Sequence, residues 1–66
     1  MTELRNAEAL LVRSREAARL LGCSEWLVRD LAHRGELPFI QITDRSPMMF
    51  DVMDLRTFID QKKIRK

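Results

Sequence analysis

If residues 25–34 are placed on a helix at about 100° per residue, Trp26, Arg29, Asp30 and His33 share one side, with Glu25 and Arg34 at its margins. Leu27, Val28, Leu31 and Ala32 take the other side. The apolar side needs only a core to pack on. The polar side has the residue types that read DNA. An α-helix fits the major groove, where an arginine can bridge O6 and N7 of a guanine. Arg29, in the middle of the face, is the base-reading candidate, and His33 can donate to an acceptor or a phosphate. Trp26 can pack on a thymine methyl or a sugar edge while its indole N–H donates to a phosphate. Glu25 and Asp30 would be repelled by phosphates; they can accept from a cytosine amino group or orient Arg29 and Arg34. Plainer readings stand beside these: Trp26 folded over the edge of a thin core, Arg29 and Asp30 as solvated charges, His33 as surface filler.

Two further groups could touch nucleic acid. Arg45, flanked by Thr43 and Ser46, sits in the turn-forming run Thr43-Asp44-Arg45-Ser46-Pro47 and can reach backbone phosphates or a minor groove. Lys62, Lys63, Arg65 and Lys66 make the end of the chain basic. Such a tail can attract phosphates of any sequence, solubilise the chain, or dock on a protein partner. Enzyme chemistry has little to work with. One His, one Cys, no Gly-rich phosphate loop and no cluster of ligands leave nothing for a triad or a metal site, so no catalytic residue, metal or cofactor is expected.

The elements that would position these residues follow from caps and breakers. Ser14 can cap a helix whose first turn carries Glu16 and whose apolar stripe is Ala17, Ala18, Leu20 and Leu21. Gly22 stops it, Ser24 can cap a second helix over 25–34, and Gly35 ends that one in the same way. Two helices joined by a short Gly-containing turn form a helix-turn-helix unit. Leu37–Ile42 is β-prone, and Met48-Met49-Phe50 is placed to return as its partner strand. Asp51 can cap a third helix with Asp54 at its third position and Val52, Leu55, Phe58 and Ile59 at core spacing. Cys23, Met48 and Met49 read as packing residues. The expected fold is mainly α with a small β-hairpin, a winged helix-turn-helix, with residues 1–10 as a frayed end or an extra turn and 61–66 as a basic tail.

Starting at Met1 and running to 66 residues, the chain reads as one small domain, 1–66, complete as given. Its longest apolar run is Ala9-Leu10-Leu11-Val12, too short for a membrane span or a signal-peptide core. A single Cys permits no internal disulfide, which fits a reducing cytoplasm. Net charge is +2, but it is unevenly divided: residues 1–60 sum to −2, and residues 61–66 to +4. Nucleic-acid binding would therefore depend on locally focused cations.

The string "EAARLLGCSEWLVRDLAHRGELP", followed by a hairpin and "FDVMDLRTFID", resembles the excisionase family of MerR-like winged-helix DNA-binding domains. The residues carrying the resemblance are Glu16-Ala17-Ala18, Leu20-Leu21-Gly22-Cys23-Ser24, Val28-Arg29, Gly35-Glu36-Leu37-Pro38 and Phe50-Asp51-Val52-Met53-Asp54-Leu55, so it covers about residues 11–60. The resemblance implies a second helix in the major groove, with Arg29 on the family's helix arginine, and a wing bearing Arg45 in an adjacent minor groove. It implies an excisionase (a recombination directionality factor) of a phage or integrated element in a bacterial host. Such a protein binds repeated sites on double-stranded DNA, bends it, and directs an integrase, a tyrosine or serine recombinase, toward excision.

Three positions depart from the pattern. Arg13 stands where the family often has a capping Thr, so Ser14 would cap one residue late. Gln41 and Met49 stand where hairpin arginines are frequent. Modest single-site affinity, offset by cooperative self-association on DNA or by the integrase, is the expectation. A stand-alone transcriptional regulator of the AlpA or MerR kind is the nearest alternative, although MerR-type activators usually append a dimerising helix. A protein-interaction module using the Trp26 face without DNA is the other.

Overall fold

The computed structural model describes residues 10–64. Arg65, Lys66 and the first nine residues, where a frayed end was expected, lie outside the described residues. In chain order the elements are a strand, β1 (Leu11–Arg13), two helices, α1 (Ser14–Leu21) and α2 (Glu25–His33), a second strand, β2 (Met49–Asp51), and a helix, α3 (Val52–Lys62).

The turn between α1 and α2 is specified by its residues. Gly22 adopts φ +72°, a left-handed conformation that costs a residue with a Cβ but not glycine. In that conformation Gly22 N–H reaches Arg19 O at 3.2 Å and Cys23 N–H reaches Ala18 O at 3.0 Å, so two carbonyls at the end of α1 are satisfied. Ser24 then caps α2, its hydroxyl accepting from Leu27 N–H at 3.1 Å. Asp51 caps α3 by accepting from Met53 N–H at 2.8 Å, with Asp54 in the first turn as the sequence indicates.

Ser14 does not cap α1. Arg13 occupies the cap position without a side-chain bond, and Ser14 is already inside the first turn. The helix starts one residue earlier than Ser14 capping would allow, because β1 delivers the chain to it in an extended conformation at Arg13. The serine hydroxyl, buried at 8% exposure, donates instead to Glu25 Oε2 of α2 at 2.9 Å.

The strand pairing also differs from the expected hairpin. β2 pairs antiparallel with β1, in the register Leu11–Asp51, Val12–Phe50 and Arg13–Met49. The expected partner, 37–42, contributes a single bridge between Ile40 and Met49, with both backbone bonds at 2.8 Å. Its beginning is committed elsewhere: Leu37 N–H bonds back to Leu31 O at the end of α2, and Pro38 has no N–H to give. The wing is thus a loop clasped once at its base, between Ile40 and Met49.

The core gathers Ala17, Ala18, Val28, Leu31, Ala32, Leu37, Phe50 and Leu55, with Val12, Leu21, Cys23, Leu27, Met48 and Phe58 packed against it. Phe50, Leu37 and Val28 are its largest fully enclosed side chains. Phe50 sits where strand and helices meet, and its burial contributes about 1.5–3 kcal/mol. The two alanines of α1 let α2 approach closely. Leu20 and Ile59, expected in the core, remain 44% and 42% exposed. Three helices and a two-stranded antiparallel pairing, with a loop projecting after the second helix, make a small winged helix-turn-helix.

Candidate nucleic-acid interface

The outer face of α2 is laid out as the helical spacing indicates. Trp26 is 70% exposed and does not fold back over the core. Arg29, His33 and Arg34 are exposed, and Glu25 and Asp30 are half-buried beside them. The two carboxylates orient the two arginines. Glu25 Oε2 accepts from Arg29 Nη2 at 2.7 Å, one helical turn away, and Asp30 Oδ2 pairs with Arg34 Nε at 3.1 Å. Arg34 also lies 3.7 Å from Glu36. Exposed pairs of this kind contribute only about 0.3–0.5 kcal/mol each to stability, so each arginine can exchange its partner at small cost.

Glu25 links two helices. The same Oε2 that holds Arg29 accepts from the buried Ser14 hydroxyl of α1. It lies on the wall of a cleft of about 450 Å³ lined by Arg13, Ser14, Arg15, Glu25, Arg29, Pro47 and Met48. The cleft joins the start of α1, the outer face of α2 and the base of the wing. Three arginines, one each from β1, α1 and α2, converge on it. Arg13 and Arg15 were not among the sequence candidates, since only tertiary packing brings them beside Arg29. The available signal was the density of arginines at 13, 15 and 19 just ahead of and within α1. Arg19 belongs elsewhere: it holds Glu16, with Nε 2.9 Å from Oε1. That hydrogen bond, with the added attraction of the guanidinium charge, holds the Glu16 carboxyl below its ordinary range.

In the wing, the two hydroxyls build the turn. Thr43 Oγ1 and Ser46 Oγ lie 2.8 Å apart, Ser46 Oγ accepts from Thr43 N–H at 3.2 Å, and Ser46 N–H reaches Thr43 O at 3.1 Å. Gln41 Nε2 donates to Ser46 O at 3.0 Å. Arg45 is exposed at the tip of this braced turn. Lys62 closes α3 and Lys63 caps it, so these two tail lysines are part of the folded body. Among the described residues no group of three or more His, Cys, Asp or Glu gathers to hold a metal ion.

A family model described as a helix-turn-helix domain matches residues 11–63, from β1 through the end of α3. The chain belongs to this helix-turn-helix family. The family includes excisionase-like and AlpA-like DNA-binding proteins, and membership supports sequence-specific binding of double-stranded DNA. No curated protein and no solved structure is significantly similar to this helix-turn-helix domain. No helix among its described residues is long and apolar enough to cross a membrane.

Proposed function

We propose that this domain recognises DNA by inserting the outer face of α2 into the major groove, and that it serves as an excisionase, bending DNA to direct an integrase toward excision. The observation that carries the groove reading is the exposed Trp26–Arg29–His33 face, bordered by a cleft to which Arg13 and Arg15 add charge. An indole left 70% exposed on a helix otherwise well packed calls for a partner surface, and the cations beside it select a polyanion. In this reading Arg29 reads a guanine, with Glu25 holding the guanidinium ready, and Trp26 packs on a thymine methyl or sugar. His33 and Arg34 contact acceptors or phosphates, and Asp30 orients Arg34. Arg13 and Arg15 grip phosphate at the edge of the groove. Arg45 reaches the adjacent minor groove from a wing tip that Thr43 and Ser46 hold in shape. Lys62, Lys63, Arg65 and Lys66 add attraction that does not depend on sequence.

The excisionase role rests on the motif string shared with that family. A regulator of the AlpA kind would use the same surface, and the test separates them. Duplexes selected from a random pool are titrated in gel shifts, then circularly permuted to report bending. Arg29→Ala is expected to weaken the selected site by about 1–3 kcal/mol while leaving non-specific binding nearly unchanged. Equal affinity of variant and parent for that site would refute the groove assignment. Bending together with stimulated excision by an integrase, where one is encoded beside the gene, supports the excisionase role; specific binding without either favours the regulator.

A further inference from the structure

On the other side of α2 from Trp26 lies a second cleft of different character. Leu21, Cys23, Leu27, Leu31, Phe58 and Ile59 form its floor and walls, and Lys62 and Lys63 stand at its rim, enclosing about 470 Å³. Among the described residues no carboxylate lines it. A neighbouring depression of about 330 Å³ runs between Leu20 of α1 and Val52, Leu55 and Arg56 of α3. Ile59 and Lys63 line both, so Ile59 is a ridge between two adjacent apolar sockets. The exposure of Leu20 and Ile59, which the core does not use, belongs to this surface.

We propose that this double socket docks an acidic amphipathic helix of a partner protein. The argument is one of shape and charge. Two apolar depressions separated by one side chain suit apolar residues spaced a helical turn apart on an incoming helix. The rim then decides the sign of its flanks. Lys62 Nζ is 3.6 Å from Glu36 and 5.5 Å from the centre of the Phe58 ring, and Lys63 Nζ is 3.3 Å from Asp60. Both lysines are more than half exposed, so these pairs are weak and a partner carboxylate can replace them. Arg56 adds a third cation to the second socket, where Asp60 is the one acid among the described residues lining it and already faces Lys63. DNA is a poor occupant, because an apolar floor offers nothing to phosphates. Leu27 and Leu31 face this groove while Trp26 and Arg29 face away, so a partner helix here leaves the outer face of α2 open and draws on Lys62 and Lys63, which otherwise add only sequence-independent attraction for DNA.

The test uses the full chain and a synthetic amphipathic helix with leucines at i, i+3 and i+7 flanked by glutamates, alongside the same peptide with lysines replacing the glutamates. Backbone amide shifts of Leu21, Leu27, Phe58 and Ile59, and the alkylation rate of Cys23 in the groove wall, report occupancy. Saturable shifts and slowed alkylation with the acidic peptide are expected, with roughly ten-fold preference over the basic one from two or three exposed charge pairs. Lys62→Glu/Lys63→Glu, at exposed positions, is expected to invert that preference with the circular dichroism spectrum unchanged. Equal affinity for both peptides, or no saturable shift with either, overturns the proposal. So do shifts that grow with the concentration of the domain alone, which would make a second copy the occupant, and slowed alkylation of Cys23 on adding duplex DNA alone.

Discussion

Replacing Glu25 by alanine removes one carboxylate oxygen on which two other side chains depend. Ser14 is buried, and its hydroxyl donates to that oxygen at 2.9 Å; Arg29 donates to it at 2.7 Å. Stranding a buried hydroxyl costs about 1–3 kcal/mol. Losing the exposed Arg29 pair adds about 0.3–0.5 kcal/mol, and losing an acid from the first turn of α2 adds about 0.3–1 kcal/mol. Glu25→Ala should therefore destabilise by about 1.6–4.5 kcal/mol, which for a domain this small lowers Tm by roughly 10–30 °C. Glu25→Gln keeps an acceptor for the hydroxyl and should cost about 1 kcal/mol or less. Ser14→Ala removes the donor but leaves Glu25 with Arg29 and water, so it should cost about 1 kcal/mol. In the double variant no hydroxyl is stranded, and the loss should fall short of the two single losses by about 1 kcal/mol. Urea unfolding is best followed by far-ultraviolet circular dichroism, since Trp26 is already exposed in the native state and reports unfolding poorly. Additivity of Ser14→Ala and Glu25→Ala within about 0.3 kcal/mol would refute the claim that this bond joins α1 to α2.

Gly22→Ala meets no atom within 4 Å of the added Cβ, so the left-handed backbone alone sets its cost, about 1 kcal/mol in the same unfolding assay. Arg65→Gln/Lys66→Gln should weaken binding to all duplexes alike and flatten the salt dependence of affinity, read as the slope of log affinity against log salt. The Glu16 carboxyl, held low by Arg19, should titrate below an ordinary glutamate when followed by side-chain NMR, and return to the ordinary range in Arg19→Ala. Because the folded-state value is the lowered one, Glu16 favours the folded state above the unfolded value. That contribution disappears as pH falls through the folded value, so Arg19→Ala should shed this part of the acid sensitivity.

Where the chain uses local rules, its sequence is readable. Ser24 and Asp51 cap the helices their positions suggest, Gly22 ends α1, and the four apolar residues of α2 turn inward while Trp26 and Arg29 turn out. The strand at Leu11–Arg13 was hidden because three residues carry no measurable alternation, and their partner lies far along the chain at Met49–Asp51. Ser14 looks like a cap by type, and only the arrival of β1 shows that Arg13 fills that place. The cleft shared by Arg13, Arg15 and Arg29 has the same origin, since no spacing rule relates position 13 to position 29 until the two helices cross. The outer face of α2 was legible residue by residue, whereas the cations beside it were not.

The register of the two strands has a mechanical consequence. Leu11 pairs with Asp51, and Val52 N–H reaches Leu10 O at 3.1 Å just beyond them, so both chain exits leave the ladder from the same end. Tension between residues 10 and 52 therefore does not shear all the rungs together. It loads the Leu10–Val52 bond first and then peels Leu11–Asp51, Val12–Phe50 and Arg13–Met49 in turn, like a zipper. The turn linking α1 to α2 and the clasp at Ile40–Met49 lie inside the closed segment, and they feel that force only after the last rung has parted.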